Sequence, residues 1–175
     1  MKISVRKGLD INLKGEAEKI LAESKDPQLI AIKPTDFSGL VPKMLVKEGD
    51  TVKCGSPVFC DKYNDQINYV SPISGKVQEI VRGEKRRILD VIISSDATQE
   101  SLDAVDVSSE NIKETFLNGG LWPMIKQRPI DVIADINKTP KAIFISAFDS
   151  SPLAVDYDFS LQNEVENFQK GIDAL

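Results

Sequence analysis

Lys62 stands in the run FCDKYNDQINYVSPISGKV at 59–77, where an Asp-Lys pair is followed by Ser-Pro-x-x-Gly-x-Val. Such a lysine does chemistry when its amine holds a swinging acyl or carboxyl carrier arm, and that requires a place at the tip of a tight hairpin. Two readings stay open on these residues: a carrier lysine, or a solvated charge at a strand end. Lys62 precedes Ser71 by nine residues, and the turn formers Asn64, Asp65 and Gln66 between them include no lysine. Asp61 and Asp65 can form a carboxylate pair, but nothing nearby marks a substrate. Arg82, Lys85, Arg86 and Arg87 make a basic cluster that reads either as a solvated turn or as a docking point for an acidic partner or anionic headgroups. Asp149, Asp156 and Asp158 can offer oxygens to a hard cation, without EF-hand spacing.

Composition removes whole classes of chemistry. The 175 residues contain no histidine, which excludes a Ser-His-Asp triad within the chain and the commonest nitrogen ligand for zinc. Cys54 and Cys60 cannot by themselves complete a four-thiolate zinc site or hold an iron–sulfur cluster, and they read as reduced, small apolar residues. A net charge of −5 argues against a polyphosphate partner, so no nucleic acid is expected. The longest apolar run, AIFI at 142–145, is far short of the roughly 20 residues of a membrane span, and the N-terminus has no signal-peptide core.

The elements that must position these residues change along the chain. Residues 1–27 read as a polar arm with at most a turn of helix in GEAEKILAESKD. From 28 to 95, short Val- and Ile-rich runs are punctuated by Gly and Pro, the pattern of a β unit. A weak repeat, VKEGD at 46–50 and IVRGE at 80–84, suggests two related halves with Gly49 and Gly83 at positive φ in tight turns. Residues 96–107 read as an acidic linker or short strand. A helix is expected from Ser108 or Ser109 to Asn118, with Ile112 and Phe116 on one face and Gly119 and Gly120 ending it. LWPMIKQRPIDV is a proline-broken connector. KAIFISAF at 141–148 reads as a strand buried on both faces, and SLQNEVENFQKGIDAL as a helix capped by Ser160 with Leu161, Val165, Phe168 and Ile172 on its apolar stripe. One strand and one helix cannot bury each other's second faces, so the chain is expected to be a piece of a longer one or to complete itself against a partner.

EGDTVKCGSPVFCDK followed by SPISGKV resembles the barrel-sandwich hybrid of biotinyl and lipoyl domains. More of the chain follows a second resemblance: RKGLDI at 6–11, PKMLVKEGDTVKCGSPVFCDK, SPISGKVQEIVRGEKRRIL, GLWPMIKQRPID at 120–131 and KAIFISAFDSSPLAVD at 141–156. In this order they are similar to the N-terminal part of the A subunits of sodium-translocating NADH:quinone reductases, the NQR complexes. The expected fold is α+β and β-rich: a barrel-sandwich hybrid (biotinyl/lipoyl-like) at 28–100, between an arm at 1–27 and a segment at 101–175 holding a linker, a helix and the start of a Rossmann-like α/β domain.

The resemblance implies a peripheral subunit on the cytoplasmic face of the bacterial inner membrane. The complex would use NADH, flavins, an Fe–S centre and ubiquinone, and export Na⁺. Other subunits are the implied partners, with quinone a candidate for the intact subunit. In related subunits that bind flavin, a glycine-rich loop matches NGGLWPMIK; here Leu121 and Trp122 follow Gly119 and Gly120, and Ser151 precedes Pro152 where those relatives have an acidic loop. Hence no catalytic, cofactor-binding or metal-ligating residue is expected, and Trp122 reads as a packing residue. The alternatives are a carrier modified on Lys62 and a free-standing interaction protein.

Overall fold

A computed structural model describes residues 14, 15, 17–103, 111–151 and 153–175. The β unit contains β1 (Leu29–Ile32), β2 (Pro42–Met44), β3 (Thr51–Val52), β4 (Pro57–Asp61), β5 (Asn68–Val70), β6 (Gly75–Arg82) and β7 (Ile88–Ser95). They form two antiparallel sheets, one ordered β1-β7-β6-β3 and the other β2-β4-β5. This agrees with the barrel-sandwich hybrid expected from the punctuated Val/Ile runs.

Alternation along the strands explains the core. Val91 and Ile93 of β7 turn inward, Ile88 joins them across a register shift opposite Val81 and Arg82, and Val77 of β6 meets Ile93 across the ladder. A register shift between Val77 and Glu79 interrupts the alternation of β6, leaving Gln78 and Glu79 both exposed. In β4, Val58, Phe59 and Cys60 are all buried, so this strand is covered on both faces. Phe59 stacks on Tyr69 at 4.8 Å between ring centroids, and Phe37 meets the same tyrosine edge-on at 4.6 Å. Each fully buried aliphatic or aromatic side chain contributes about 1.5–3 kcal/mol.

The chain passes from the second sheet to the first through the turn at 71–75. Ser71 is buried, and its Oγ donates to the Ile73 carbonyl at 2.6 Å. Gly75 pairs with Val52 on one side and with Ser95 on the other. A Cβ at Gly75 would lie 1.9 Å from the Ser94 carbonyl oxygen, a backbone atom that cannot move aside.

One expectation about this unit needs correction. Gly49 does take positive φ, at 94°, but Gly83 sits at −93°. The left-handed residues of the second turn are Lys85 and Arg86, because the β6–β7 reversal falls two residues later than the repeat suggests. Residues 96–103, the described part of the segment read as an acidic linker or short strand, follow the second alternative, with Ser101 bridged to Cys54 in parallel. Cys54 N–H donates to the Glu100 carbonyl, Leu102 N–H donates to the Cys54 carbonyl, and Lys53 pairs with Glu100 at 2.6 Å.

Beyond this segment lie α1 (Ile112–Asn118), a 3-10 turn at Trp122–Met124, and a small hairpin of β8 (Lys126–Gln127) and β9 (Val132–Ile133). Leu117 and Ile136 join the main core. The expected caps Ser108 and Ser109, with Glu110, lie outside the described residues, as do residues 1–13. Residues 17–28 carry no helix.

The C-terminal expectations fail in a specific way. Residues 141–148 form no strand and are exposed, with Phe144 93% and Phe148 79% accessible. Among the described residues this run pairs with no strand, and a strand without a ladder leaves its backbone groups to water. The helix expected from Ser160 to Leu175 forms only over α3 (Val165–Ala174), and a separate short α2 (Tyr157–Ser160) precedes it. Glu164, not Ser160, stands at the N-cap of α3, while Asp156 caps α2 by accepting from Phe159 N–H at 3.1 Å. Val165, Phe168 and Ile172 share a stripe on α3 that is not buried. The described residues fall into two units, one within Lys25–Pro140 and the other drawing on Met1–Ser24 and Lys141–Asp173. No described helix is long and apolar enough to cross a membrane.

Replacing Gly75 by Ala is expected to destabilise the chain by several kcal/mol, or to abolish folding, because backbone blocks the new methyl. Gly39→Ala serves as the contrast, since nothing lies within 4 Å of its Cβ position and only positive φ opposes the change, at about 1 kcal/mol. Urea unfolding of both variants checks the difference.

Candidate functional site

The β4–β5 hairpin is where a carrier lysine would sit. Asp61 N–H donates to the Ile67 carbonyl at 3.2 Å, and Asn64 N–H and Ile67 N–H donate back within the loop. The Asp61 carboxylate accepts from Tyr63 N–H at 3.1 Å, an Asx turn that holds the start of the loop. Lys62 lies before the tip, not on it. Its N–H donates to the Val41 carbonyl at 2.8 Å, which ties it beside β2, while its side chain is exposed. Asp65 and Gln66 form the outer end. They line a groove with Asn111, Lys113, Glu114 and Asn118 of the α1 region, which sets Asp65 among amides and charges of both signs.

The Ser-Pro-x-x-Gly segment that drew attention to Lys62 is a structural lock. Ser74 is buried and its Oγ donates to Asp96 Oδ1 at 2.6 Å while accepting from Glu100 N–H at 2.9 Å. Asp96 also accepts from the Thr98 N–H and hydroxyl. The Ser74 hydroxyl, then the Thr98 amide, hold the Asp96 carboxyl below its ordinary range. Nothing in the sequence pairs Ser74 with Asp96, because the contact depends on β7 returning alongside the turn.

The cysteines behave as apolar residues. Burial pushes the Cys60 thiol up, which disfavours the reactive thiolate. Cys54 donates to the Pro72 carbonyl at 3.3 Å. Tyr69 is a further residue that its sequence position does not single out. It is buried, its hydroxyl has no hydrogen-bond partner among the described residues, and burial drives its titration upward, with Asp61 adding to the effect.

At the glycine-rich turn after α1, Gly120 takes φ 69°. A Cβ there would meet Val70 Cγ2 at 2.6 Å, and one at Gly119 would meet the Thr115 carbonyl at 2.9 Å. Protein atoms therefore fill the space that glycine leaves. Trp122 packs against the core, and its indole N–H donates to the Ala134 carbonyl at 2.8 Å.

The three C-terminal aspartates have separate duties. Asp149 accepts from the Ser151 hydroxyl and N–H, which lower its titration in that order. Asp156 caps α2 and pairs with Lys19. Asp158 is exposed on α2. No group of three His, Cys, Asp or Glu suited to a metal ion occurs among the described residues. Pro152 lies outside them.

Comparison with known families covers both parts of the chain. Residues 3–96 match the family model described as the NqrA N-terminal barrel-sandwich hybrid domain, and residues 107–175 match that of the NqrA second alpha/beta domain. The chain is 32% identical to the A subunit of the Na(+)-translocating NADH-quinone reductase of Pseudomonas aeruginosa (strain UCBPP-PA14), over 99% of this chain and 40% of that protein. It is 34% identical to the corresponding protein of Marinomonas sp. (strain MWYL1), which bears the same name, over 98% of this chain and 40% of that protein. The chain spans about two fifths of the length of the relatives it matches.

The Asp96 lock sets a pH dependence. Its folded pKa lies below the unfolded one, so its contribution is present above the ordinary carboxylate range and is lost as pH falls through the folded value. Ser74→Ala removes the largest cause of that shift. Thermal unfolding followed from about pH 6 to pH 2 should show a shallower acid limb in this variant than in the parent, while both lose stability together from other carboxylates.

Proposed function

The chain belongs to the NqrA family, and on that footing we propose that it is a non-catalytic, cofactor-free part of the A subunit of a Na(+)-translocating NADH-quinone reductase. In this reading residues 28–100 are a docking module derived from a carrier-type fold, and 101–175 begin an α/β domain. Its partners are the other subunits. It sits peripherally on the cytoplasmic face of the inner membrane, and the flavins, Fe–S centre, NADH site and sodium path belong to its neighbours. Quinone contact is left to the intact subunit, and no residue here is assigned to it.

One observation carries the proposal: both positions where this architecture could hold a prosthetic group are committed to the fold. The hairpin tip of Asn64, Asp65 and Gln66 offers no amine, and Lys62 is tied at the strand end through its N–H to Val41. The N–H groups of the glycines that could meet a flavin phosphate are already engaged, Gly119 with the Thr115 carbonyl at 2.8 Å and Gly120 with the Leu117 carbonyl at 3.4 Å. A phosphate cradle needs backbone N–H groups with open space in front of them. These residues do not fit that group.

Expression in a bacterium that contains such a reductase and adequate lipoate and biotin tests the reading. The purified chain is expected to have the mass of the bare sequence, no flavin absorbance, and other reductase subunits retained on a tagged copy. An acylated or biotinylated Lys62, or stoichiometric flavin, overturns the cofactor-free assignment. A chain recovered soluble and alone at native expression favours a free-standing interaction protein.

A further inference from the structure

The turn joining β6 to β7 is built against local backbone preference. Gly83 N–H donates to the Arg87 carbonyl at 2.8 Å, and Arg87 N–H donates to the Glu84 carbonyl at 3.1 Å, closing a tight reversal. Its two central residues are left-handed, Lys85 at φ 52°, ψ 29° and Arg86 at φ 62°. Hairpins of this hand favour Asn-Gly at these places, and long side chains are disfavoured there. Folding alone therefore asks for neither a lysine nor an arginine. A backbone outlier at such a site points to a role for its side chains.

Those side chains share one charge. Arg82, Lys85, Arg86 and Arg87 are exposed, and among the described residues none has a carboxylate within ion-pair distance. This occurs in a chain whose net charge is −5. Glu84 is the single acid within the tip, and Glu48 beside Arg82 accepts from Ile80 N–H at 2.8 Å. On the flank of the tip, a shallow groove brings Met44, Leu45 and Ile80 next to Lys47 and Arg82, with Leu45 46% accessible.

We propose that this tip and its apolar flank dock onto an anionic phospholipid surface. Flexible cations on a convex hairpin suit mobile headgroups that gather around them, whereas carboxylates on a folded protein would have to be matched in place. Leu45 supplies the apolar contact that interfacial adsorption uses beside charge, while Met44 and Ile80 pack behind it against the core. The inference goes beyond the family role proposed above, and adsorption is read on the chain by itself, so either can fail alone.

The test is co-sedimentation of the chain with vesicles of phosphatidylcholine and phosphatidylglycerol in equal parts, at low and high salt. Binding is expected to the mixed vesicles and not to phosphatidylcholine alone, and to weaken as salt screens the charges. Lys85→Asn with Arg86→Gly should lower the partition coefficient about 25-fold, roughly five-fold for each cation. The same double variant should melt at or above the parent temperature, because it relieves the left-handed residues, so lost binding is not lost folding. Lys85→Gln with Arg86→Gln, which keeps side-chain length, should lose binding equally. No adsorption by the parent, undiminished adsorption by these variants, or equal binding to phosphatidylcholine alone overturns the proposal. So does a chain that ignores vesicles but is held through the same cations on polyglutamate, which would give the tip to an acidic protein.

Discussion

The β unit depends on one close approach, the backbone of Gly75 against the Ser94 carbonyl. At this point the chain leaves the three-stranded sheet and enters the four-stranded one, and β3, β6 and β7 meet. Two buried serines hold the corner: Ser71 closes the turn internally, and Ser74 ties it to Asp96 and Glu100. A buried hydroxyl without partners is costly, so both are engaged within the fold. From this corner the chain runs back through β5 to the hairpin that carries Lys62, and forward along β6 to the cationic tip. The two surface features that invite a functional reading are thus opposite consequences of one piece of packing.

Much of this unit was legible because its information is local. Short Val/Ile runs separated by Gly and Pro predict short strands, and the structure contains them between Leu29 and Ser95. Gly49 behaves as a turn glycine should. The failure at Gly83 is instructive, since sequence reasoning assigns left-handed φ to glycine and the chain instead assigns it to Lys85 and Arg86. The Ser74–Asp96 bond and the orphaned Tyr69 hydroxyl were illegible for another reason. Both depend on which strand lies across from which, and no spacing along the chain encodes that.

The C-terminal segment shows what hydrophobic pattern does and does not specify. AIFI states a demand for burial, yet a strand exists only in relation to another, and among the described residues 141–148 makes no ladder. Helix formation is less dependent on neighbours, so α3 is present with the expected periodicity although Val165, Phe168 and Ile172 remain exposed. Its start differs from the expected one because a hydroxyl at position 160 reads as a cap, whereas Asp156 captures the Phe159 N–H and a short α2 ends at Ser160. Local hydrogen bonding won over the longer apolar stripe.

Glycine-rich turns have two uses that composition alone cannot separate. One leaves backbone N–H groups open to a ligand, and the other lets two parts of a protein come closer than a methyl would permit. What occupies the Cβ position decides between them. At Gly75 it is the Ser94 carbonyl, at Gly119 the Thr115 carbonyl, and at Gly120 the Val70 side chain, all within 3 Å. At Gly39 nothing lies near, and positive φ for a turn is reason enough for the residue. At all three crowded glycines, protein atoms fill the Cβ position, which is the second use. A family fold that resembles a carrier can therefore keep its shape for packing reasons alone, since the corner, the hairpin and the turn after α1 are each required by their neighbours.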